Sequence, residues 1–470
     1  IARDLENLLL KNPQLNSNNA VGNYSGRLSN RGERIALAKP DDPALPFQDF
    51  VVVDEVTYCD GARWGEWADG GGSSLELVDP RSDNRLAMNW RGSDESAKSS
   101  WITIEHTALT QHGSGSVDFE VEALCVFLAQ AGECLVDDVE VIRDGEVVNR
   151  VSNPGFDSGI AGWLADGTHL RSTHEATDGC NSPGSLHVKA SGAGSVSLKV
   201  TNPGNQEVNH ISTTLAPAAN PSEIFTIRAK ARWLAGWPYC VLGFEGHWHE
   251  AAGELDVPDS LGSPGLQNSS YSNNVGPAIY ELTHQPILPA ANQPVLVTCS
   301  THDPDGLASL ELEHRNDPSL NYTVVSMLDD GTNGDVLAGD GIYSAVIPGR
   351  PSGLVAFRVR AEDNDANPEA TYFPSGNSMN DALVGFGEPM PSGFLGTYVI
   401  WMSNANVVEL TSRNPGGNQF SDITFAYENY RAIYNGGLRL RGNGRSGDYQ
   451  VNKYNCTVPD SERVMGNNEI

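Results

Sequence analysis

Clusters of turn-forming residues interrupt this chain so often that few segments are long enough for an amphipathic helix. The 470 residues include 49 glycines and 27 prolines, and short runs of β-branched and aromatic residues lie between groups of Gly, Asn, Asp and Pro. This spacing is typical of β-sandwiches and barrels, whose short strands are joined by tight turns. No apolar run approaches the ~20 residues of a membrane-spanning helix. The sequence therefore predicts an all-β chain of several sandwich modules in series, without a membrane span.

Acidic residues outnumber basic ones two to one, and the formal net charge is -30 at pH 7. Nucleic-acid binding relies on clustered Lys and Arg to neutralise phosphates, so we expect no nucleic-acid partner. The same charge argues against adsorption to an anionic membrane surface. It favours solubility, and a solvated acidic surface is the simplest interpretation.

The seven cysteines contain no CxxC pair, which argues against a zinc knuckle. Cys125 and Cys134 flank a predicted hairpin around Ala131 and Gly132, so a local disulfide is one interpretation. The alternative is that these cysteines are small buried hydrophobic residues.

The N-terminal part contains the strings RGERIALAKPDD and DFVVVDEVTYCDGARWGEWADGGG between residues 31 and 73. A short helix over residues 4–11 and strands over residues 33–39 and 49–57 are predicted around them. Residues 1–80 resemble the lamin tail domain, in the form found in large modular bacterial proteins of the cell exterior. The resemblance implies an immunoglobulin-like β-sandwich, here without its opening strand, and an extracellular or cell-surface location.

The next region contains an Asn-x-Gly-Phe turn followed by Gly-Trp, at Asn153, Gly155, Phe156, Gly162 and Trp163. This pattern resembles the opening of a jelly-roll carbohydrate-binding module. We assign residues 81–257 to one full jelly roll of this kind preceded, within the same range, by a smaller β unit of the same style. A linker is predicted over residues 258–276, an immunoglobulin-like or fibronectin-like domain over 277–374, and a second linker over 375–394.

The C-terminal part contains a strand followed by an Arg-Gly-Asn turn at Arg441, Gly442 and Asn443. Residues 395–470 resemble the N-terminal portion of the CotH kinase family, although Gly444 replaces the usual Ser of that pattern. The resemblance implies a partial α+β segment in which Lys453 would contact nucleotide phosphates. The alternative is that Lys453 is an exposed lysine of a strand. The family's metal-binding residues lie further downstream. We therefore expect ATP and Mg²⁺ to bind only if the domain is complete in a longer protein, and this chain alone to be inactive.

A glycan-binding site is predicted in the jelly-roll module. Residues 225–233 alternate apolar and polar, so three cations share one strand face, and three aromatic residues follow. An anionic glycan would suit both groups of residues, because cations bind its negative charges and flat aromatic rings stack on its sugars. Alternatively, the aromatics are packing residues and the cations pair with nearby carboxylates. The candidate residues are Arg228, Lys230, Arg232, Trp237, Tyr239 and Trp248.

Other tryptophans and the acidic loops admit further hypotheses. Trp64, Trp67 and Trp163 are interpreted as structural.

Ca²⁺ prefers several oxygen ligands, and two acidic loops of the immunoglobulin-like domain could supply them. Their candidate ligands are Asp303, Asp305, Asp363 and Asp365.

Two further groups of residues are metal candidates. The loop with Asp329, Asp335 and Asp340 is interpreted mainly as consecutive tight turns. His247 and His249 are a zinc candidate that has no third ligand near it in sequence.

The preferred function is non-catalytic. We expect an extracellular or cell-surface binding or adhesion protein that recognises a polysaccharide or cell-surface glycan through its jelly roll. One alternative is the N-terminal portion of a secreted CotH-type protein kinase, and another is a structural spacer. No nucleophile elbow, HExxH motif, phosphate loop or dinucleotide fingerprint occurs in the sequence.

Overall fold

Strands are the main regular secondary structure in the part of the chain that the structure describes. The computed structural model describes residues 1–42, 49–61, 63–110, 120–196, 208–389, 397–414, 416–440 and 453–469. Within these ranges the chain forms 26 strands and two α-helices. The all-β, multi-sheet class predicted from the turn-rich sequence is therefore confirmed. Neither of the helices in these ranges has the length and apolar character needed to cross a bilayer.

The N-terminal region holds one helix and two separate strand pairs. Asp4 caps α1, since its Oδ1 accepts a hydrogen bond from the Asn7 amide at 3.0 Å. The elements are α1 (Leu5–Lys11), β1 (Glu33–Pro40), β2 (Phe50–Tyr58), β3 (Leu75–Leu77) and β4 (Trp90–Gly92). Strand β1 pairs only with β2, and β3 only with β4, among the described residues.

This arrangement differs from the sandwich expected over residues 1–80. The side chains of the β1–β2 hairpin are mostly exposed, as Leu37 and Val53 show, so no second sheet covers them within the described chain. The partner of β3 lies beyond residue 80, because the short segment 81–89 brings β4 back beside it. The predicted boundary at residue 80 therefore divides a strand pair.

A β-sandwich follows, with ten strands in its described residues. Its strands are β5 (Ile102–Leu109), β6 (Val121–Leu128), β7 (Gly132–Arg143), β8 (Trp163–Ala165), β9 (Thr173–Glu175), β10 (Ser185–Ala190), β11 (Ile211–Ala219), β12 (Ile224–Gly236), β13 (Tyr239–Phe244) and β14 (Glu250–Glu254). One sheet has the order β5-β12-β7-β10-β9, which we call the front sheet, and the other has the order β14-β13-β6-β11-β8, the back sheet. The alternation predicted for residues 225–233 is confirmed, since Phe225, Ile227 and Trp233 lie in the core between the sheets.

A second sandwich follows, with strands in two sheets. Its strands are β15 (Ala278–Gln285), β16 (Val295–His302), β17 (Leu307–Asn316), β18 (Thr323–Ser326), β19 (Ile342–Ile347), β20 (Gly353–Asp363), β21 (Ala370–Phe373) and β22 (Ala382–Phe386). Strands β15, β16 and β19 form one sheet, and the other five strands form the second.

The linker predicted over residues 375–394 is wrong for its central part. Strand β22 lies there, pairs with β20, and all five of its residues are buried. The strand is covered on both sides because a further sheet packs against it, and the Leu383 amide donates to Thr424 Oγ1 of that sheet at 2.9 Å. Residues buried on both faces lack the polar alternation by which a half-exposed strand is recognised.

The C-terminal segment combines one α-helix with four strands in its described residues. Its elements are β23 (Tyr398–Trp401), α2 (Asn404–Ser412), β24 (Ser421–Tyr427), β25 (Arg431–Leu440) and β26 (Tyr454–Thr457). The four strands form one antiparallel sheet in chain order. Trp401, Ala426 and Tyr434 of this sheet belong to the same hydrophobic core as the second sandwich. The sheet is thus packed onto that sandwich.

Candidate ligand-binding groove

The three predicted cations lie on the outer face of the front sheet, because the alternate residues of β12 fill the core. Each of them already has a partner. Arg228 Nε donates to Glu140 Oε2 at 2.7 Å, and its guanidinium also pairs with Glu105 at 3.2 Å. Lys230 Nζ donates to Thr103 Oγ1 at 2.8 Å.

Arg232 forms an ion pair with Asp178 and lies 5.3 Å from the ring centre of Trp101. The hydrogen bond to Glu140 raises the pKa of Arg228, which keeps that guanidinium charged. Arg228 and Arg232 thus pair with local carboxylates, as the alternative interpretation of the sequence expected, whereas Lys230 bonds to a hydroxyl.

A groove of about 460 Å³ runs over this face. Its lining is Thr103, Glu105, Asp138, Glu140, Asn149, Pro154, Asn181, Arg228, Ala229 and Lys230. Three carboxylates face two cations, so the formal charge of the lining is -1. The groove is therefore polar and slightly acidic, whereas the sequence alone indicated a cationic face.

A β-bulge shapes the floor of this groove. Between Arg228 and Lys230 the pairing of β12 with β7 slips by one residue, and Asp138 takes a φ of 48°. A bulge leaves one residue unpaired and redirects its side chain. Asp138 then accepts a hydrogen bond from Asn181 Nδ2, a contact between β7 and the loop before β10.

Sequence reasoning missed the acidic half of the groove. Glu105 lies on β5 and Glu140 on β7, and both strands flank β12 in the sheet. Their polar positions in alternating strands were visible in the sequence, but strand order was not. Only the strand order shows that they lie opposite Arg228.

The three predicted aromatic residues do not join the cations in one site. Trp237 and Tyr239 are 48% and 38% exposed, and their ring centres lie 6.3 Å apart at 36°. They lie where the chain crosses between the sheets, nine residues after Arg228, which is roughly 30 Å along an extended strand. Trp248 is 71% exposed and follows the opposite end of β13.

The other tryptophans are structural, as predicted. Trp64 and Trp163 are buried, and Trp163 packs against Phe156 with ring centres 5.1 Å apart. Trp67 is half-buried and donates from Nε1 to Glu133 Oε1 at 3.0 Å.

The first predicted calcium loop is occupied by hydrogen bonds. Both carboxylate oxygens of Asp305 accept from Arg81 at 2.8 Å. Asp363 accepts from Asn274 Nδ2 at 2.9 Å and from the Asp365 amide at 2.9 Å. Asp303 accepts from the Asp305 amide at 2.7 Å, and burial raises the pKa of Asp303. Arg81 thus neutralises one of the four expected ligands.

The second acidic loop brings three carboxylates together. Carboxylate oxygens of Asp329, Asp335 and Asp340 lie within 4.8 Å of one another. Among the residues that the structure describes, this is the one cluster of three possible metal ligands. Asp329 accepts from the amides of Gly339 at 2.5 Å and Gly341 at 2.9 Å. These two hydrogen bonds fold the end of the loop back onto Asp329. The Asp335 amide donates to Thr332 O at 2.9 Å, which is a tight turn of the kind that the sequence predicted.

The two histidines of the zinc candidate are buried. The ring of His249 packs edge-on against His106 and Phe244, with centres 5.4 and 5.1 Å apart. Burial lowers the pKa of His249. No third metal ligand joins them in the part of the chain that the structure describes.

Lys453 is exposed and immediately precedes β26. The Arg-Gly-Asn turn before it falls in residues 441–452, outside the described residues. Its contact with nucleotide phosphates stays a prediction.

The two predicted hairpin cysteines face opposite ways. Strand β6 belongs to the back sheet and β7 to the front sheet, so no hairpin joins them. Cys134 lies in the core between the sheets, whereas Cys125 alternates with the core residues Leu124 and Val126 and points away. A Cys125–Cys134 bridge is therefore wrong, and burial as small hydrophobic residues is correct for both.

Comparison with known proteins gives no family. No family model and no curated protein matches the chain. Among solved structures, a DUF4785 family protein from Legionella pneumophila aligns over 60% of this chain and 66% of its own length, with 4% identity and a TM-score of 0.16. The alignment spans slightly less than two thirds of that protein, and such a low TM-score does not establish a shared fold.

Proposed function

We propose that this chain is a non-catalytic glycan-binding protein of the cell exterior, and that the groove on the front sheet binds an uncharged, hydroxyl-rich glycan. The observation that carries the proposal is the lining of that groove. It combines charged and amide side chains on one open face of about 460 Å³. Sugar hydroxyls both donate and accept hydrogen bonds, so a lining of carboxylates, amides and cations suits them.

The groove side chains are held in place before any ligand binds. Arg228 is fixed by Glu140 and Glu105, and Asn181 is fixed by Asp138. Ordering a free side chain on binding costs about 0.5–1.5 kcal/mol, so a preformed lining avoids that cost.

The charge of the lining selects an uncharged ligand over an anionic one. An anionic glycan would bring its charges beside Glu105, Asp138 and Glu140, and like charges in contact are unfavourable. The anionic glycan expected from the sequence is therefore replaced by a neutral one in this proposal. The net charge of -30 on the whole chain also disfavours an anionic ligand.

The test is binding of the full chain to two panels of polysaccharides, one neutral and one carrying carboxylate or sulfate groups, measured by calorimetry. We expect binding within the neutral panel. Arg228→Ala and Lys230→Ala should each weaken it about ten- to 150-fold, since loss of one hydrogen bond to a charged group is worth roughly 1.5–3 kcal/mol.

The matched control is Arg360→Ala. Arg360 also lies on a sheet face and pairs with Glu311 and Glu362, but in the second sandwich. It should leave binding unchanged. Loss of binding in Trp237→Ala with retention in Arg228→Ala would move the site to the exposed aromatic pair. Absence of binding to both panels would contradict the proposal and leave a structural spacer.

A further inference from the structure

Two cysteines meet inside the first sandwich. Cys134 on the front sheet and Cys240 on the back sheet are both fully buried and belong to the same core. The thiol of Cys134 lies within hydrogen-bonding reach of the thiol of Cys240. Facing sheets are usually about 10 Å apart, so a direct contact between thiols across the core requires the sheets to approach each other locally.

Two short crossings bring the sheets together at this end. The chain passes from β6 to β7 through residues 129–131, and from β12 to β13 through residues 237–238. The crossings are bonded to each other, since the Trp237 amide donates to Ala131 O at 2.9 Å and the Ala129 amide donates to Tyr239 O at 3.1 Å. Such short crossings hold the strand ends close.

Both cysteines lie immediately after these crossings. Cys134 is the third residue of β7, and Cys240 is the second residue of β13. The strand alternation points both side chains inward. Their closeness therefore follows from the connectivity of the sandwich as well as from side-chain packing.

We propose that Cys134 and Cys240 form a disulfide that links the two sheets when the chain folds in an oxidising medium. A small-molecule disulfide such as glutathione disulfide is the oxidant. Each cysteine gives up its thiol proton and one Sγ–Sγ bond forms. The two electrons released reduce the oxidant, whose own disulfide breaks to give two thiols.

The bond must form before the sandwich closes. Both thiols are shielded from solvent in the folded chain, and burial together with the Cys240 contact raises the pKa of Cys134. Thiol–disulfide exchange requires an accessible thiolate, so folded protein would react slowly and the folding chain readily. Closing the chain between residues 134 and 240 is expected to stabilise the fold, because long loops lose the most entropy in the unfolded state.

The other cysteines have no comparable geometry. Cys125 shares the first sandwich but points out of its core, and Cys180 is half-buried in a loop. Cys59, Cys299 and Cys456 lie outside that sandwich.

The experiment is refolding of the full chain from denaturant in a mixture of reduced and oxidised glutathione, and in parallel with reductant alone. The intact mass after oxidative refolding should be lower by two hydrogen atoms. Digestion without reduction should then yield one cross-linked peptide pair that contains Cys134 and Cys240. The melting temperature should be higher for the oxidised sample than for the reduced one.

Single substitutions provide the comparison. Cys134→Ala and Cys240→Ala should lose the cross-link and the difference in melting temperature, whereas Cys125→Ala, at another buried cysteine of the same sandwich, should keep both. Complete alkylation of all cysteines in the denatured, oxidatively refolded wild-type chain would overturn the proposal. A cross-link between other cysteines would overturn it too, and both readouts use wild-type protein, so they do not depend on the variants folding.

Discussion

The hydroxyl of Tyr434 donates a hydrogen bond of 2.7 Å to Nδ1 of His284, deep between the second sandwich and the C-terminal sheet. Nε2 of His284 lies 3.2 Å from Ile287 O and donates to it. Burial lowers the pKa of His284 to about 4, so the ring is neutral at pH 7 and can accept at Nδ1. Since Tyr434 lies on β25 and His284 on β15, this pair ties the C-terminal sheet to the sandwich.

Replacing Tyr434 with Phe should destabilise the chain by about 1–3 kcal/mol, because Nδ1 of His284 would be buried without a donor. The aromatic contact with Phe357, at 5.8 Å between ring centres, would be kept. Chemical denaturation followed by circular dichroism measures the change. Tyr430→Phe is the control, since Tyr430 is exposed, and an equal loss in both variants would contradict the assigned role of the pair.

The stability of the protein should fall as the pH decreases from 6.5 to about 4. In this window the unfolded chain binds a proton at His284 that the folded chain excludes, because burial lowers the folded pKa from 6.5 to about 4. Across this window the free energy of unfolding changes by about 1.4 kcal/mol per pH unit. The stability lost through His284 therefore approaches 3 kcal/mol near pH 4.

His284→Gln should remove this part of the pH dependence, whatever its effect on stability at pH 7. The measurement is the slope of the free energy of unfolding against pH for wild type, His284→Gln and the exposed-site variant His106→Gln. His169 contributes in the same direction, since burial lowers its pKa to about 3, so some slope should remain. An unchanged slope in His284→Gln would contradict the prediction.

Replacing Asp422 with Asn should stabilise the protein at neutral pH. Burial raises the pKa of Asp422 from 3.8 to about 7, so the unfolded chain releases a proton that the folded chain retains, and stability falls as pH rises through this window. Asparagine does not titrate and still offers an oxygen to Asn435 Nδ2, which lies 3.0 Å from Asp422 Oδ1. The gain can reach about 4 kcal/mol, at roughly 1.4 kcal/mol per pH step.

The gain should disappear below about pH 4, where the carboxyl is protonated in both states. Thermal unfolding of Asp422→Asn at pH 4 and pH 7 measures it, with the exposed-site variant Asp157→Asn as control. A gain that is the same at both pH values would refute the protonation argument.

Glu76 anchors the segment that joins the two sandwiches. It is 4% exposed, and it accepts hydrogen bonds from Ser263 Oγ, Ser269 Oγ and the Ser270 amide, the last two at 2.9 and 3.1 Å. These bonds outweigh burial and lower the pKa of Glu76. The stability that ionised Glu76 gives to the fold is therefore fully present above pH 4.5, the ordinary pKa of a glutamate. It is lost as the pH falls through the lower pKa of the folded state.

Glu76→Gln should release residues 261–270 from β3, because an amide nitrogen cannot accept from a serine hydroxyl. We expect faster cleavage in that segment under limited proteolysis, mapped by mass spectrometry, and a loss of about 1–3 kcal/mol in stability. Glu369→Gln, at an exposed carboxylate, should behave as wild type. Cleavage that stays at wild-type rate would show that Glu76 does not hold the segment.

Patterns within one segment predicted the structure well where a strand has one face in the core. The alternation around Arg228 correctly placed its neighbours Phe225 and Ile227 inside, because alternation depends only on the pleat of a single strand. The same reasoning failed for β22, which is buried on both sides by strands far away in sequence. It also failed for Cys125 and Cys134, since closeness in sequence suggested a hairpin where the chain crosses between sheets.

The sequence by itself determined the class of this protein: turn spacing and residue alternation act locally, so an all-β chain and the inner and outer faces of β12 follow from them. Only the tertiary structure decided which residues meet. Strand order places Glu105 and Glu140 beside Arg228, the two short crossings bring Cys134 to Cys240, and packing of the C-terminal sheet joins Tyr434 to His284. The physical reason is that these contacts join residues from different strands. Their partners are set by the burial of apolar faces across the whole sandwich, which no single segment encodes.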